Sequence, residues 1–120
     1  MQDMNEPQIA LCYVRQTGIG KNSQAAIERQ QVNILHVCEV LGWEPEWYED
    51  VDEPGIEAAA SERLAWEALQ ERFGAPDVAA LVVDDLTRLH RDPNELDALM
   101  QTLDEYGIQL VTAASMGLVA

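Results

Sequence analysis

The stretch from residue 79 to residue 91 reads AALVVDDLTRLHR. It opens with a continuous apolar run, Ala79 to Val83, of the length and β-branched content expected of a strand buried on both faces. Two acids follow at once, and two arginines, Arg88 and Arg91, then lie three residues apart. Open α/β sheets place their sites at the carboxyl ends of such strands. The stretch therefore predicts a central strand with an anion-binding site at its end.

A second apolar run lies near the amino terminus, where Ile9 to Val14 read IALCYV and lead directly to Arg15. This run predicts another buried strand that also ends in a cation. A helix follows it, which Asn22 or Ser23 can cap and which Gly42 closes in the usual terminal position.

The rest of the chain continues the same alternation. Asp92, Pro93 and Glu95 are spaced as an N-cap, a first helical residue and the return partner of a capping box. Between the two apolar runs, the sequence predicts a short strand over 43–48, an acidic loop over 49–57 and a helix over 58–73. This helix has Trp66, Leu69 and Phe73 on one face and ends at Gly74. A further helix begins at residue 93 and is followed by a strand over 108–112; the residues of this helix that should face the sheet are Leu96, Leu99, Met100 and Leu103.

Alternating strands and helices predict a parallel sheet with right-handed crossovers and helices on both faces. We therefore expect a three-layer α/β domain with a central, mainly parallel four-stranded sheet. At 120 residues the whole chain, 1–120, is expected to be one domain.

The charge of the chain is strongly acidic. Seven Lys and Arg residues stand against 22 Asp and Glu residues, which gives a net charge of -15. Phosphate backbones attract basic surfaces, so this balance argues against a free-standing nucleic-acid binder. If the domain meets DNA, another domain or subunit has to bring it there.

The sequence predicts a reduced, cytoplasmic environment and no cofactor. Cys12 and Cys38 lie in apolar patterns without metal-ligand spacing, so we interpret them as reduced core residues. The start, MQDMNEPQ, is polar and acidic, which is unlike a signal peptide, and no apolar run is long enough for a membrane span.

Two weaker patterns also bear on cofactors. Gly18 and Gly20 lack the full spacing of a phosphate loop. Asp50 and Asp52 form a DxD pair that could bind magnesium, but without a third patterned carboxylate they are better interpreted as part of a solvated acidic loop. We expect no metal site and no cofactor.

Several short motifs, taken in order, resemble those of the catalytic domain of serine recombinases, the resolvase/invertase family. They are Tyr13-Val14-Arg15-Gln16-Thr17, Ile27-Glu28-Arg29-Gln30, Tyr48-Glu49-Asp50, Arg63, and Leu86-Thr87-Arg88-Leu89-His90-Arg91.

The resemblance implies a chemistry. In that family a serine attacks a DNA phosphodiester and forms a covalent phosphoseryl link at a 5′ end, without a metal or energy cofactor. Arginines stabilise the charge on the phosphoryl oxygens, because guanidinium forks match that geometry. Carried over residue by residue, the resemblance implies a phosphate pocket of Arg15, Arg63, Arg88 and Arg91, supported by Tyr13, Gln30, Asp50 and the position of Thr87.

The departures from the family pattern bear on activity. Thr17 stands at the nucleophile position, and its extra methyl group crowds an in-line attack. Thr87 replaces an aspartate, and Asp85 adds negative charge near the phosphate path. We therefore expect phosphodiester cleavage and rejoining to be weak or lost.

The family's long dimerisation helix and DNA-binding domain do not fit into the few residues after Thr112. One alternative is thus an inactive regulatory or interaction module that forms a homo-oligomer or pairs with a full-length recombinase. A receiver-like phosphoacceptor is a third interpretation, because Asp84 and Asp85 follow a strand, but Arg15 stands where such a domain needs acids.

Overall fold

The structure is a computed structural model that describes residues 8–16, 23–51, 63–90 and 92–118. Strands and helices alternate along the chain as expected. The elements are β1 (Ile9–Gln16), α1 (Ser23–Leu41), β2 (Glu44–Val51), α2 (Leu64–Gln70), β3 (Val78–Val83), a 3-10 turn (Leu86–Arg88), α3 (Pro93–Glu105), β4 (Gln109–Thr112) and a second 3-10 turn (Ala114–Met116).

The four strands form one sheet in the order β2-β1-β3-β4, and all three neighbouring pairs are parallel. The two continuous apolar runs of the sequence are the two central strands, β1 and β3, because only central strands are covered by helices on both faces. The predicted four-stranded parallel sheet of an α/β domain is confirmed.

Side chains of β1 alternate between two separate cores. Leu11 and Tyr13 pack in the cluster that α2 and α3 cover, whereas Ala10, Cys12 and Val14 pack in the cluster under α1. This alternation is the period-two pattern of a strand between two helical layers. The sheet is therefore the middle of three layers, as predicted.

Strand β2 is longer than predicted, and this changes the position of Asp50. The strand does not stop at Tyr48 but pairs with β1 as far as Val51, which lies opposite Gln16. The acidic residues at the end of β2 have the sequence pattern of a loop because β2 is an edge strand, and an edge strand tolerates charged side chains and a proline such as Pro45. Asp50 lies in this strand, so its assignment to a solvated loop was wrong.

Helix α1 ends as predicted at Gly42. The φ angle of this glycine is +73°, and the N–H of Trp43 donates to the carbonyl oxygen of Cys38 at 2.9 Å. This is the Schellman arrangement, which favours glycine because it needs a left-handed residue. It turns the chain directly into β2.

Helix α3 has its predicted cap but not its predicted capping box. The side chain of Asp92 accepts a hydrogen bond from the N–H of Asn94 at 2.9 Å, with Pro93 as the first helical residue. The carboxylate of Glu95 does not reach back to the cap but lies 3.4 Å from Nδ1 of His90. The acidic side chain in the first turn of α3 thus lies next to the segment that follows β3.

Two predictions about the other helices need correction. Within the described residues α2 spans only Leu64–Gln70, and the predicted residues 58–62 lie outside that part of the chain. Met100 is 41% exposed and does not face the sheet, since the narrow apolar stripe of α3 centres on Leu99 and Leu103.

The two cysteines are buried free thiols whose sulfur atoms lie 3.7 Å apart. The contact with Cys38 and burial both raise the pKa of the Cys12 thiol, which favours its protonated form. Both residues belong to the core under α1, in agreement with their interpretation as core residues.

Candidate functional site

The carboxyl ends of β1, β2 and β3 lie side by side and bring most of the described candidate residues to one edge of the sheet. Arg15 is opposite Asp50 in the register of β1 and β2. Arg88 belongs to the 3-10 turn that begins three residues after β3 ends at Val83. The candidate residues Thr17 and Arg91, together with Gly18, Gly20 and Asp52, lie outside the described residues.

Asp50 connects the end of β2 to the start of α2. Its carboxylate accepts hydrogen bonds from the backbone N–H groups of Ala65 and Trp66 at 2.8 and 3.0 Å, and from the hydroxyl of Tyr13 at 2.6 Å. It thus caps the first turn of α2 from another strand, where a negative charge is favourable. These donors give Asp50 a structural role in place of the DxD magnesium ligand considered from the sequence.

Tyr13 links Asp50 to Arg63. The phenol is fully buried, and its oxygen donates to Asp50 while accepting a hydrogen bond from Nε of Arg63 at 3.1 Å. Burial, followed by donation to Asp50, raises the pKa of Tyr13 well above its usual value. The hydroxyl therefore remains protonated and acts as a fixed bridge between a carboxylate and a guanidinium.

Arg63 occupies the N-cap position of α2 and reaches across to the segment after β3. Its Nη1 donates to the carbonyl oxygen of Leu89 at 2.7 Å, and its Nη2 donates to that of Arg88 at 3.1 Å. The guanidinium carbon also lies 5.2 Å from the ring centre of Tyr13 and 5.1 Å from that of Trp66. Both distances lie in the range of cation–π contacts.

Arg88 lies between Asp84 and the end of β1. Its Nε donates to the carboxylate of Asp84 at 3.0 Å, and its Nη1 donates to the backbone carbonyl of Arg15 at 3.4 Å. Asp84 is buried, whereas the side chain of Arg88 is 31% exposed. The ion pair therefore anchors one side of the guanidinium while part of it faces solvent.

Gln30, from α1, fixes the backbone of Arg15. Its side-chain oxygen accepts from the Arg15 N–H at 3.1 Å, and its amide nitrogen donates to the Arg15 carbonyl at 3.1 Å. The pairing of β1 with β3 stops at Cys12, so this fully buried amide satisfies backbone groups beyond the end of that pairing. Gln30 therefore holds the Arg15 backbone in place, while the supporting role that the resemblance implies for it stays a prediction.

Thr87 is exposed at the surface of the 3-10 turn. Its backbone N–H donates to the carboxylate of Asp85 at 2.9 Å, and this bond is the main cause of the lowered pKa of Asp85. Asp85 thus acts as the cap of the turn. The hydroxyl of Thr87 gives the neighbouring arginines no negative charge.

His90 is a neighbour of the arginines that sequence reasoning did not include in the site. Its ring lies edge-to-face against Trp66 with a centroid separation of 5.9 Å. Burial and then the charge of Arg63 lower the pKa of this imidazole, and the charge of Arg15 acts in the same direction. The positive field of the arginines therefore reaches His90.

Asp84 was also missed as a site residue and was considered only as a phosphoacceptor. The signal in the sequence was its spacing of four residues from Arg88 directly after a buried strand. That spacing allows an ion pair between Asp84 and Arg88, but it does not reveal which edge of the Arg88 guanidinium the carboxylate contacts.

Two structural findings concern metals and membranes. In the described residues, no group of three or more His, Cys, Asp or Glu side chains could hold a metal ion. The helices in that part of the chain are too short or too polar to cross a bilayer.

A comparison with protein-family models identifies the family of the domain. The family model described as "Resolvase, N terminal domain" matches residues 10–118. The chain belongs to this resolvase family. A comparison with curated protein sequences found no match.

Solved structures of serine recombinases have the same fold as this resolvase-family chain. A resolvase family site-specific recombinase from Streptococcus pneumoniae is 18% identical, with a TM-score of 0.75 over 90% of this chain and 73% of that chain. The N-terminal catalytic domain of TP901-1 integrase is 20% identical, with a TM-score of 0.69 over 90% and 78%. The C-terminal catalytic domain of ISC1926 TnpA, an IS607-like serine recombinase, is 16% identical, with a TM-score of 0.68 over 87% and 68%.

Proposed function

We propose that this chain is a serine-recombinase-like domain of DNA recombination that binds a DNA phosphodiester at the carboxyl edge of its sheet. Arg15, Arg88 and Arg91 surround the phosphate, with Arg63 beside them and Thr17 at the nucleophile position. The observation that carries the proposal is the contact between Arg88 Nη1 and the Arg15 carbonyl at 3.4 Å. It joins the ends of two central strands, and the sequence has one arginine at or shortly after the end of each, which supports a shared anion site.

The reaction of this site is nucleophilic displacement at phosphorus. The attacking hydroxyl loses its proton and forms a bond to phosphorus, and the 3′ oxygen of the broken strand leaves with the electron pair. The arginines stabilise the charge on the phosphoryl oxygens during this exchange. The methyl group of Thr17 and the neutral side chain of Thr87 both oppose this reaction, so we propose that cleavage is weak or lost.

An inactive regulatory module is the second candidate, and the electrostatics of the chain favour it. Asp84 already pairs with Arg88 at 3.0 Å, so a phosphate has to share that guanidinium with a carboxylate. The net charge of -15 also repels DNA at long range. On either interpretation the domain contacts DNA only when another domain or subunit brings it there, as a homo-oligomer or beside a full-length recombinase.

An NMR titration of the arginine Nε–Hε resonances tests the proposal. Inorganic phosphate and a short duplex oligonucleotide are added separately to the wild type and to Thr17→Ser. With inorganic phosphate we expect Arg15 and Arg88 to shift together and saturate, while Arg29, exposed on α1, stays unchanged as the matched control. The duplex should give only weak shifts, because the net charge of -15 repels it. If neither Arg15 nor Arg88 responds, the phosphate site is refuted.

Cleavage is tested separately by covalent trapping. The wild type and Thr17→Ser are incubated with a duplex, denatured and resolved by mass, so that a protein joined to a 5′ end appears as a heavier species. A trapped Thr17→Ser product without a wild-type product supports lost cleavage at an intact site. Equal trapping by both would refute the proposed defect of Thr17.

A further inference from the structure

More of the guanidinium nitrogens donate hydrogen bonds to the protein in Arg63 than in Arg88. A guanidinium can grip an oxyanion with two parallel N–H bonds along either of two edges, Nε with Nη2 or Nη1 with Nη2. In Arg63, Nε donates to Tyr13, Nη1 to the carbonyl of Leu89 and Nη2 to that of Arg88. Every nitrogen of both edges therefore already has a protein acceptor.

Two aromatic rings also lie close to the Arg63 guanidinium. The Tyr13 and Trp66 rings lie 5.2 and 5.1 Å from its central carbon. A phosphate gripped along the Nε–Nη2 edge would have to take the Nε–H from the buried Tyr13 hydroxyl. A phosphate gripped along the Nη1–Nη2 edge would have to share two nitrogens that already donate to backbone carbonyls. These two carbonyls are consecutive and lie at the end of the 3-10 turn, where helical partners are missing.

We propose that Arg63 is a positioning residue, which holds the backbone of Arg88 and Leu89 against the Tyr13 hydroxyl, and not a ligand to the phosphate. This inference rests on the proposed phosphate site and deepens it. It divides the arginines by role. Arg88, whose Nε donates to Asp84 and whose Nη1 donates to the Arg15 carbonyl at 3.4 Å, presents its partly exposed side chain to the anion. Arg63 determines where the backbone of Arg88 lies.

Two variants separate a positioning role from a ligand role. Arg63→Lys keeps the positive charge but loses the planar fork that reaches two carbonyls at once, and Arg63→Met removes the charge but keeps an unbranched apolar stem. A positioning residue depends on the fork, so both variants should weaken binding of inorganic phosphate to a similar extent. A charge-providing ligand would instead tolerate lysine and lose affinity with methionine.

The wild type supplies a test that does not depend on any variant folding. During a titration with inorganic phosphate, the Nε–Hε resonance of Arg88 should move and saturate, whereas that of Arg63 should remain in place. Movement of Arg63 with the same midpoint and a comparable amplitude would overturn the assignment.

Hydrogen exchange without any ligand keeps this inference separate from the proposed function. The N–H groups of Arg88 and Leu89 donate to the carbonyls of Asp85 and Leu86 at 3.1 and 3.0 Å. Arg63→Lys should accelerate their exchange by about tenfold or more, since the turn opens locally, while amides of α1 are unchanged. Unchanged exchange at both amides overturns the positioning role, whereas a missing phosphate response with accelerated exchange refutes only the phosphate site.

Discussion

Replacement of Tyr13 by phenylalanine removes one oxygen atom from the centre of the candidate site. The ring is fully buried and packs against Trp66 at a centroid distance of 5.1 Å, and phenylalanine preserves this packing. The hydroxyl alone connects Asp50, at 2.6 Å, with Arg63, at 3.1 Å. Tyr13→Phe therefore measures the contribution of the bridge without creating a large cavity.

The magnitude follows from the two bonds that are lost. A hydrogen bond with a charged partner contributes about 1.5 to 3 kcal/mol. Asp50 keeps its two backbone donors and Arg63 keeps its two carbonyl acceptors, so the lower value applies to each bond. We expect the free energy of unfolding to fall by about 3 kcal/mol, which lowers the Tm of a domain of this size by roughly 12 °C.

Urea unfolding and thermal melts followed by circular dichroism provide the measurement. Tyr106→Phe is the matched control, because this tyrosine is 55% exposed and its ring lies 6.2 Å from that of Phe73. The control should change the free energy of unfolding by less than about 0.5 kcal/mol. A loss below about 1 kcal/mol for Tyr13→Phe, with an unchanged m value, would refute the view that the bridge holds the site together.

Three further perturbations test other parts of the structure. Because the pKa of His90 is lowered in the folded protein, the unfolded chain binds a proton at this residue more tightly than the folded chain does. The folded state should therefore lose stability through His90 as the pH falls below about 6.5. Urea midpoints at pH 7.5 and 5.5 should differ less in His90→Gln than in the wild type. Gly42→Ala should cost about 1 kcal/mol because φ is +73°, whereas Gly74→Ala, whose new methyl group meets only a Tyr106 ring atom at 3.9 Å, should be nearly neutral in the same urea assay. Arg72→Gln removes partly exposed ion pairs with Glu46 and Asp77 and should cost about 1 kcal/mol or less. A larger loss that high salt does not reduce would contradict this assignment to the surface.

The fold was predictable where burial left a pattern in the sequence. The central strands are continuous apolar runs because helices cover both of their faces, and the turn at Gly42 needs a residue that tolerates positive φ. The end of β2 was not predictable in the same way. Its acids find partners elsewhere in the chain, as when Gln31 donates to Glu49 at 2.6 Å, and such pairing leaves no local periodicity.

The sequence motifs named residues of the candidate site but not the network of hydrogen bonds that joins them. Motif positions identified Tyr13, Asp50 and Arg63 separately, yet their direct chain of hydrogen bonds joins three elements that are far apart in the sequence. Asp84 and His90 were missed because their importance depends on orientation after β3. A sequence states their spacing, but only the fold determines which neighbours they face.

The contacts of the arginines explain how a strongly acidic chain can keep a cationic site. Interactions between exposed charges fade beyond about 8 to 10 Å at physiological salt, so the nearest neighbours govern the site more than the net charge does. Asp50 is held by two backbone N–H groups and Tyr13, and it meets Arg63 only through that hydroxyl. Among the residues that the structure describes, Asp84 is the carboxylate that forms an ion pair with Arg88. If the proposed phosphate site exists, its strength should therefore depend chiefly on how much of the Arg88 charge the buried Asp84 leaves uncompensated, while the other acids should mainly oppose the approach of DNA.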